Sequence, residues 1–362
     1  MTTVGFIGSR GIVGSVLLNR VQEENDFAEF EPLFFSTSQI GKQVTNIKSD
    51  IPLYQDAYNI KALSKLDIIV TCQGGEYTQK IYPQLRQLGW QGYWIDSSST
   101  LRLANDSIIV LDPINRDAIN EALANGIKNY IGGNCTVSLL LMAVAGLFKE
   151  NLIDWLSVMT YQAASGAGAQ TLKELITQMH QIGAISSSEL EEPDLNILSL
   201  DKKIATTLNS SSLAGNLIPW IDTDLNSGQS REEFKIQTEA NKILQTKQII
   251  PIDCICVRVP TIRCHSQALT IRLKKQISVS EIERIIQHGN KWVKIVPNNK
   301  EATIRELTPL AVSGKLTIPI GRIRTMNASP NYITAFTVGD QLLWGAAEPL
   351  RRALRIILEY KK

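Results

Sequence analysis

The opening of the chain narrows the possible folds more than any other stretch. Thr3-Val4-Gly5-Phe6-Ile7 is a short apolar strand, Gly8-Ser9-Arg10-Gly11-Ile12-Val13-Gly14 is a glycine-punctuated turn, and residues 15–21 form an apolar helical pattern. Strand, glycine turn and helix in that order mark the start of a dinucleotide-binding sheet, where backbone N–H groups at a helix N-terminus face a phosphate. The spacing is G-x-x-G-x-x-G rather than the standard G-x-G-x-x-G. Glycine turns open many helices that bind no phosphate, so the reading rests on the turn's place directly after the first strand. Further apolar strands read at residues 32–35, 66–72, 93–96, 108–113 and 129–131, with a helix over 78–88. Strands alternating with helices imply a mostly parallel, doubly wound α/β sheet.

At 362 residues the chain has room for two cored domains, and a net charge of +2 gives no case for a nucleic-acid or membrane partner. Cys72, Cys135, Cys254, Cys256 and Cys264 form no pairing framework, so a reducing, cytoplasmic setting is expected. Cys254 and Cys256 lie in an alternating apolar stretch that reads as strand packing. His180, His265 and His288 lack metal-ligand spacing, and no metal is expected. There is no signal-peptide pattern, and no uncharged apolar run reaches membrane-spanning length.

Several stretches carry chemistry. The second strand ends in Ser36-Thr37-Ser38, where an NAD-specific fold usually places a carboxylate for the ribose 2′-hydroxyl. Hydroxyls leave room for a 2′-phosphate, so NADP is preferred; the bland alternative is a polar turn bonded to its own backbone. Gln73-Gly74-Gly75 and Ser97 to Arg102 lie at the same sheet edge, and Arg102 is either an anion clamp there or a solvated surface residue. Gly132-Gly133-Asn134-Cys135 runs into a long apolar helix with Asn134 as its N-cap. A cysteine on that first turn would have its thiol pKa lowered and its thiolate available for attack, although a buried core cysteine is the commoner case.

A second, α+β domain follows, built from antiparallel strands and helices. The small-residue loop 163–168 passes close to a ligand or is a simple turn, a helix resumes over 171–182, and residues 186–230 read as long loops with short helices, a lid or subunit contact. Glu232 and Lys235 share a helix face, as a site pair or a surface ion pair. Arg258 sits inside an apolar strand, which is costly unless it meets an anion, and a turn brings His265 near it. Residues 339–360 read as helix kinked at Pro349 and packing back on the first domain.

Together VGFIGSRGIVGSVL, FFSTSQ, DIIVTCQGG, GGNCTVSL, TYQAASGAG, EEFK, CVRVPTIRCHSQ and GDQLLWGAAEPLRR resemble aspartate-β-semialdehyde dehydrogenase, in its Gram-negative bacterial form, over essentially the whole chain. GGNCTVSL with a downstream R-x6-H is the most specific part. The resemblance implies an NADP-dependent homodimer that interconverts L-aspartyl-4-phosphate and aspartate semialdehyde through a Cys thioester, in lysine, threonine, methionine and diaminopimelate biosynthesis. It implies Cys135 as nucleophile, His265 as acid/base and Gln162 as the residue orienting the substrate. Arg258 resembles the α-carboxylate binder, Glu232 the α-ammonium binder, and Arg102 with Lys235 the phosphate site, beside Asn134. Gly8, Arg10, Gly11, Ile12, Val13, Thr37, Ser38, Gln73, Ser165, Gly166, Pro193 and Gln341 resemble the NADP contacts. The implied layout is an NADP-binding domain over 1–134, a catalytic and dimerisation domain over 135–338, and a C-terminal helix over 339–362. The stretch between Lys203 and Pro219 is shorter than in the family, and Ala169-Gln170-Thr171 departs from it.

On this reading one acid and three bases match the ammonium, carboxylate and phosphate of the substrate. His265 handles protons because an unperturbed imidazole titrates near working pH. Two rivals remain. N-acetyl-γ-glutamyl-phosphate reductase shares the chemistry, but its acetylated substrate has no ammonium for Glu232. A non-catalytic NADP sensor would not need Cys135, Gln162 and His265 together.

Overall fold

The protein, seen in a computed structural model, is described over residues 1–44, 52–191, 194 and 196–362. Its first sheet holds β1 (Thr3–Ile7), β2 (Glu31–Ser36), β3 (Gln55–Asp56), β4 (Ile68–Thr71), β5 (Tyr93–Asp96), β6 (Ser107–Val110) and β7 (Asn129–Gly132). All pair in parallel, in the order β3-β2-β1-β4-β5-β7-β6. These strands are continuous apolar runs because helices cover both faces. The chain winds outward from β1 in one direction through β2 and β3, and in the other through β4 and β5. The reversal opens a crevice at the carboxyl ends of β1 and β4.

The glycine turn fills that crevice. Gly8 has φ +77°, and a Cβ there would lie 2.7 Å from the backbone of Cys72 and Gln73 after β4. A Cβ on Gly14 would lie 2.2 Å from the Gly8 carbonyl oxygen, so the helix Ile12–Glu23 can pack this close only without a side chain.

The second sheet holds β8 (Ile153–Gln162), β9 (Ile252–Arg258), β10 (His265–Leu273), β11 (Val293–Ile295), β12 (Ile318–Met326) and β13 (Ser329–Gly339), in the order β11-β12-β13-β10-β8-β9. Its central pairs are antiparallel, whereas β8–β9 and β11–β12 run parallel. The helix Cys135–Lys149 leaves the carboxyl end of β7 and packs Val137, Leu140, Leu141 and Val144 into one core with Leu156, Ile271, Ile320 and Ile333 of this sheet. Its apolar residues run all round because it lies buried between the two halves.

Two segments differ from the sequence reading. The helix after the small-residue loop runs over Ala169–Glu191, and Ile197–Thr207 is a second regular helix, so long loops are confined to residues 208–230. The serines that suggested a loop are accommodated in the helix, where Ser186 and Ser187 donate back to the carbonyls of Ile182 and Gly183. Gly339 ends β13 rather than opening a helix, and Pro349 lies in the first turn of the helix Glu348–Lys361 instead of kinking it. Proline suits that position, where its missing N–H has no partner to lose. The helix does return to the first sheet: Arg351 Nε meets Asp26 at 2.5 Å and Arg352 Nε meets Asp112 at 2.5 Å.

Candidate active site

Cys135 opens the helix Cys135–Lys149. Asn134 caps it, its side-chain oxygen accepting the backbone N–H groups of Thr136 at 2.8 Å and Val137 at 3.1 Å. The cysteine lies against a single π-helical turn, Leu343–Ala347, where a Cβ on Gly345 would be 2.5 Å from the Cys135 Cβ.

Neighbouring strand ends of the second sheet bring the remaining groups to the same place. Gln162 ends β8 and is in register with Arg258, which ends β9. On the other side of β8, β10 opens at His265, and His265 pairs with Gly339 just before Gln341. Three side chains scattered over a hundred residues of sequence thus become neighbours through strand pairing alone. Glu232 arrives from the first turn of the helix Arg231–Leu244. Its neighbour Glu233 is structural, since it closes a capping box with Ser230 and accepts the Cys256 N–H at 3.1 Å. That division of labour between adjacent glutamates places Glu232 on the cavity side.

These residues line one cavity of about 420 Å³: Arg102, Asn134, Cys135, Gln162, Glu232, Lys235, Arg258 and His265 all face it, with Val13, Ser165, Gly166 and Gln341. Glu232 Oε1 accepts from Asn134 Nδ2 at 2.8 Å and Gln162 Nε2 at 3.1 Å, and its Oε2 lies 3.4 Å from Lys235 Nζ. Gln162 also donates to Thr136 Oγ1, and Gln267, fully buried, donates to the Thr136 carbonyl at 2.8 Å. Arg258 Nη1 donates to the Ala163 carbonyl at 2.9 Å, and its guanidinium pKa is held below the ordinary value by burial.

The charge inventory corrects the simple match of one acid to three bases. Asp222 also lines the cavity and binds Lys235 at 2.6 Å, and Glu239 binds Arg102 at 3.1 Å. Arg102 and Lys235 therefore each have a carboxylate beside them, whereas Arg258 is held by the Ala163 carbonyl. Sequence spacing offered a signal for Glu239, seven residues beyond Glu232 and so on the same helix face, but none for Asp222.

Cys135 and His265 titrate differently from the sequence expectation. Burial, then Glu232, push the Cys135 thiol up to about 11, against the pull of Arg258 and Arg102. His265 is pushed down to about 3 by burial and by Arg258. Its Nδ1 accepts the Ala163 backbone N–H at 3.0 Å, so the neutral ring carries its proton on Nε2. That Nε2 is buried without a partner among the described residues, and a Cβ on Gly166 would lie 3.0 Å from it. His265 is thus a neutral hydrogen-bond donor facing the cavity.

A second cavity, about 350 Å³, is lined by Gly8, Arg10, Gly11, Thr37, Ser38 and Gln73. The expected cofactor residues therefore divide: these six at the glycine turn, and Val13, Ser165, Gly166 and Gln341 beside Cys135. Ile12, the first residue of its helix, lines neither, and Pro193 lies outside the described residues. Gln341 joins the second group to His265, accepting the Cys264 N–H at 2.6 Å and donating to Ser165 Oγ at 2.6 Å. The glycine cradle fits a dinucleotide, since side chains at Gly8 and Gly14 would fill it. Among the described residues, those lining this second cavity include no carboxylate. Ser36, Thr37 and Ser38 all line the cavity, and Ser36 Oγ also accepts the N–H groups of Ser38 and Gln39. The stretch is thus both a self-bonded polar turn and a wall of the cavity.

Comparison with known proteins agrees with this geometry. Residues 3–122 match the family model described as "Semialdehyde dehydrogenase, NAD binding domain", and residues 144–344 match "Semialdehyde dehydrogenase, dimerisation domain". Aspartate semialdehyde dehydrogenase from Francisella tularensis is 51% identical with TM-score 0.93, over 99% of this chain and 100% of that one. Aspartate semialdehyde dehydrogenase II from Vibrio cholerae, complexed with ASA, shares the fold at 22% identity and TM-score 0.82, over 99% of this chain and 98% of that one. The Candida albicans enzyme with NADP shares it at 16% identity and TM-score 0.67, over 100% and 99%. A cysteine at a capped helix start, a neutral histidine beside it and a glycine cradle at the sheet's switch point accompany these matches, and the chain belongs to the aspartate-β-semialdehyde dehydrogenase family.

Proposed function

We propose that Cys135 is the nucleophile of an aspartate-semialdehyde dehydrogenase, the NADP-dependent phosphorylating enzyme that converts L-aspartyl-4-phosphate to aspartate 4-semialdehyde and phosphate in lysine, threonine, methionine and diaminopimelate biosynthesis. The observation carrying this reading is the single cavity in which Cys135, His265, Gln162, Glu232 and Arg258 face one another. The cofactor is NADP, and Gly8, Arg10, Gly11, Thr37, Ser38 and Gln73 would hold one end of it while Val13, Ser165, Gly166 and Gln341 would hold the other. When bound as NADPH it supplies the hydride.

The chain's own groups do the rest. Arg258 binds the substrate α-carboxylate through a planar fork, and Glu232 binds the α-ammonium. Arg102 and Lys235 take the phosphate, beside Asn134. The Cys135 sulfur attacks the acyl carbon, the bond to phosphate oxygen breaks, and the thiol proton leaves with the phosphate. Gln162, anchored on Thr136 and Glu232, orients the acyl group. His265 Nε2–H hydrogen-bonds the oxyanion on the Cys135-bound carbon, and its neutral state lets it donate without stabilising the thiolate. Return of the sulfur as leaving group frees the aldehyde.

We divide the chain functionally at 1–134, 135–338 and 339–362. It acts as a homodimer, a reading supported by the match to a dimerisation domain. Among the described residues no helix is long and apolar enough to cross a membrane, and we assign the protein to the cytoplasm. A free ammonium rather than an acetylated amine is favoured by Glu232 in the cavity.

The test is phosphate-dependent NADP reduction with aspartate semialdehyde, beside the same assay with N-acetylglutamate semialdehyde. Activity with the first and none in Cys135→Ala is expected. Normal turnover by Cys135→Ala, or preference for the acetylated substrate, would remove the assignment.

A further inference from the structure

The helix Arg231–Leu244 carries Glu232, Lys235, Glu239 and Lys242, spaced so that all four fall on one face. The first two line the substrate cavity and the last two do not. Glu239 and Lys242 instead grip the loop that bears Arg102. One oxygen of the buried Glu239 carboxylate accepts from Arg102 Nη1 at 3.1 Å, and the other accepts the backbone N–H of Asn134 at 2.8 Å. Lys242 Nζ donates to the carbonyls of Arg102 at 2.7 Å and Ala104 at 2.9 Å. Arg102 also donates from Nε to Gly132 at 2.7 Å, and from Nη2 to Ser97 at 3.3 Å and Gly133 at 3.1 Å. A guanidinium has five N–H groups. Four are committed here, which leaves one, on Nη1, for an anion in the cavity that Arg102 lines.

We propose that Glu239, assisted by Lys242, is a positioning residue for phosphate: it aims the last free N–H of Arg102 and holds Asn134 beside Cys135, so that anion donor and nucleophile keep one spacing. The inference rests on the reading of Arg102 as a phosphate ligand. The physical need is clear from connectivity. Arg102 follows β5 and Asn134 follows β7, whereas Glu239 belongs to a helix packed on β9. Without the bridge, Arg102 still holds the Gly132 and Gly133 carbonyls through Nε and Nη2, but nothing fixes its Nη1 or ties the Asn134 N–H to the same group. A guanidinium with one free N–H recognises phosphate through direction rather than through a wide fork, so a small rotation loses the contact.

Glu239→Gln keeps the volume but turns a donor towards one of its two donor partners. In phosphate-dependent NADP reduction the KM for phosphate should rise ~10-fold or more while the KM for semialdehyde stays within about 2-fold. A general loosening of the fold would move both constants. Lys242→Met keeps the aliphatic stem and should raise the phosphate KM about 3-fold, with the semialdehyde KM again unmoved. This second variant decides the matter if Glu239→Gln does not fold. A folded variant whose phosphate KM is unchanged, or rises no more than the semialdehyde KM, overturns the proposal. Arg102→Leu separates the two layers of the argument. If it leaves the phosphate KM unchanged, the reading of Arg102 fails and the positioning role with it. If it raises that KM while Glu239→Gln and Lys242→Met do not, only the positioning role fails.

Discussion

At the scale of single residues, His265 behaves unlike a free imidazole. Burial and Arg258 hold its pKa near 3, and Nδ1 is occupied by the Ala163 N–H. The kcat/KM profile between about pH 5 and 8 should therefore lack a limb near 6.5 arising from this ring. Such a limb, present in the wild type and absent in His265→Asn, would contradict the neutral-donor role. His265→Asn should still lower kcat by ~10²–10⁴-fold, because the donor to the oxyanion is lost. The same shift has a stability sign. The unfolded chain takes up a proton at this ring below about pH 6.5 and the folded chain only near 3, so unfolding free energy falls as pH drops, by about 1.4 kcal/mol per unit. Urea unfolding at pH 7 and pH 5 should show His265→Asn losing on the order of 2 kcal/mol less than the wild type. Equal losses would remove the buried neutral histidine from the account.

At the scale of elements, the nucleophile is held by contacts between chain segments rather than by its own helix. The π-turn Leu343–Ala347 presses Gly345 against Cys135, with an added Cβ at 2.5 Å from the Cys135 Cβ and 2.8 Å from its Cα. π-Turns often mark functional sites because they re-aim the backbone. Gly345→Ala must displace the sulfur or the turn, and kcat should fall about 10²-fold while the protein remains folded. Near-normal kcat would mean that the spacing between turn and nucleophile is not critical. The capping residue Asn134 has two duties, since Oδ1 holds the helix start and Nδ2 holds Glu232. A cap alone contributes about 1 kcal/mol, so a larger effect of Asn134→Ala on catalysis than on stability is expected from the second duty.

At the scale of the whole molecule, the helix Glu348–Lys361 ties the far end of the chain to the first sheet. Arg351 bonds Asp26 through Nε at 2.5 Å and Nη2 at 3.2 Å, and bonds Glu348 through Nη1 at 3.0 Å. Glu348 also accepts from Arg20 at 3.1 Å, on the helix that opens at the glycine turn. Asp26 and Glu348 are both almost fully buried. Arg351→Met leaves Asp26 with Arg355 and Glu348 with Arg20, and should lower unfolding free energy by about 1–3 kcal/mol, read by urea denaturation. A change under about 1 kcal/mol would show that the network contributes little.

Much of the architecture was legible along the chain, because strand and helix patterns with glycine punctuation are local. The parallel sheet, the cofactor turn and the cap at Asn134 follow from short stretches, whereas the cluster around Cys135 was implied by the family resemblance and is assembled by strand pairing. The protonation states were not legible, since burial and neighbouring charges exist only once β8, β9 and β10 lie side by side. Nor were the pairs Arg102–Glu239 and Lys235–Asp222, which join residues 137 and 13 positions apart through tertiary contact. Residue order alone determined which side chains this protein has to work with; the three-dimensional packing decided their charge and direction, because solvent exclusion and hydrogen-bond geometry depend on neighbours far away in the chain.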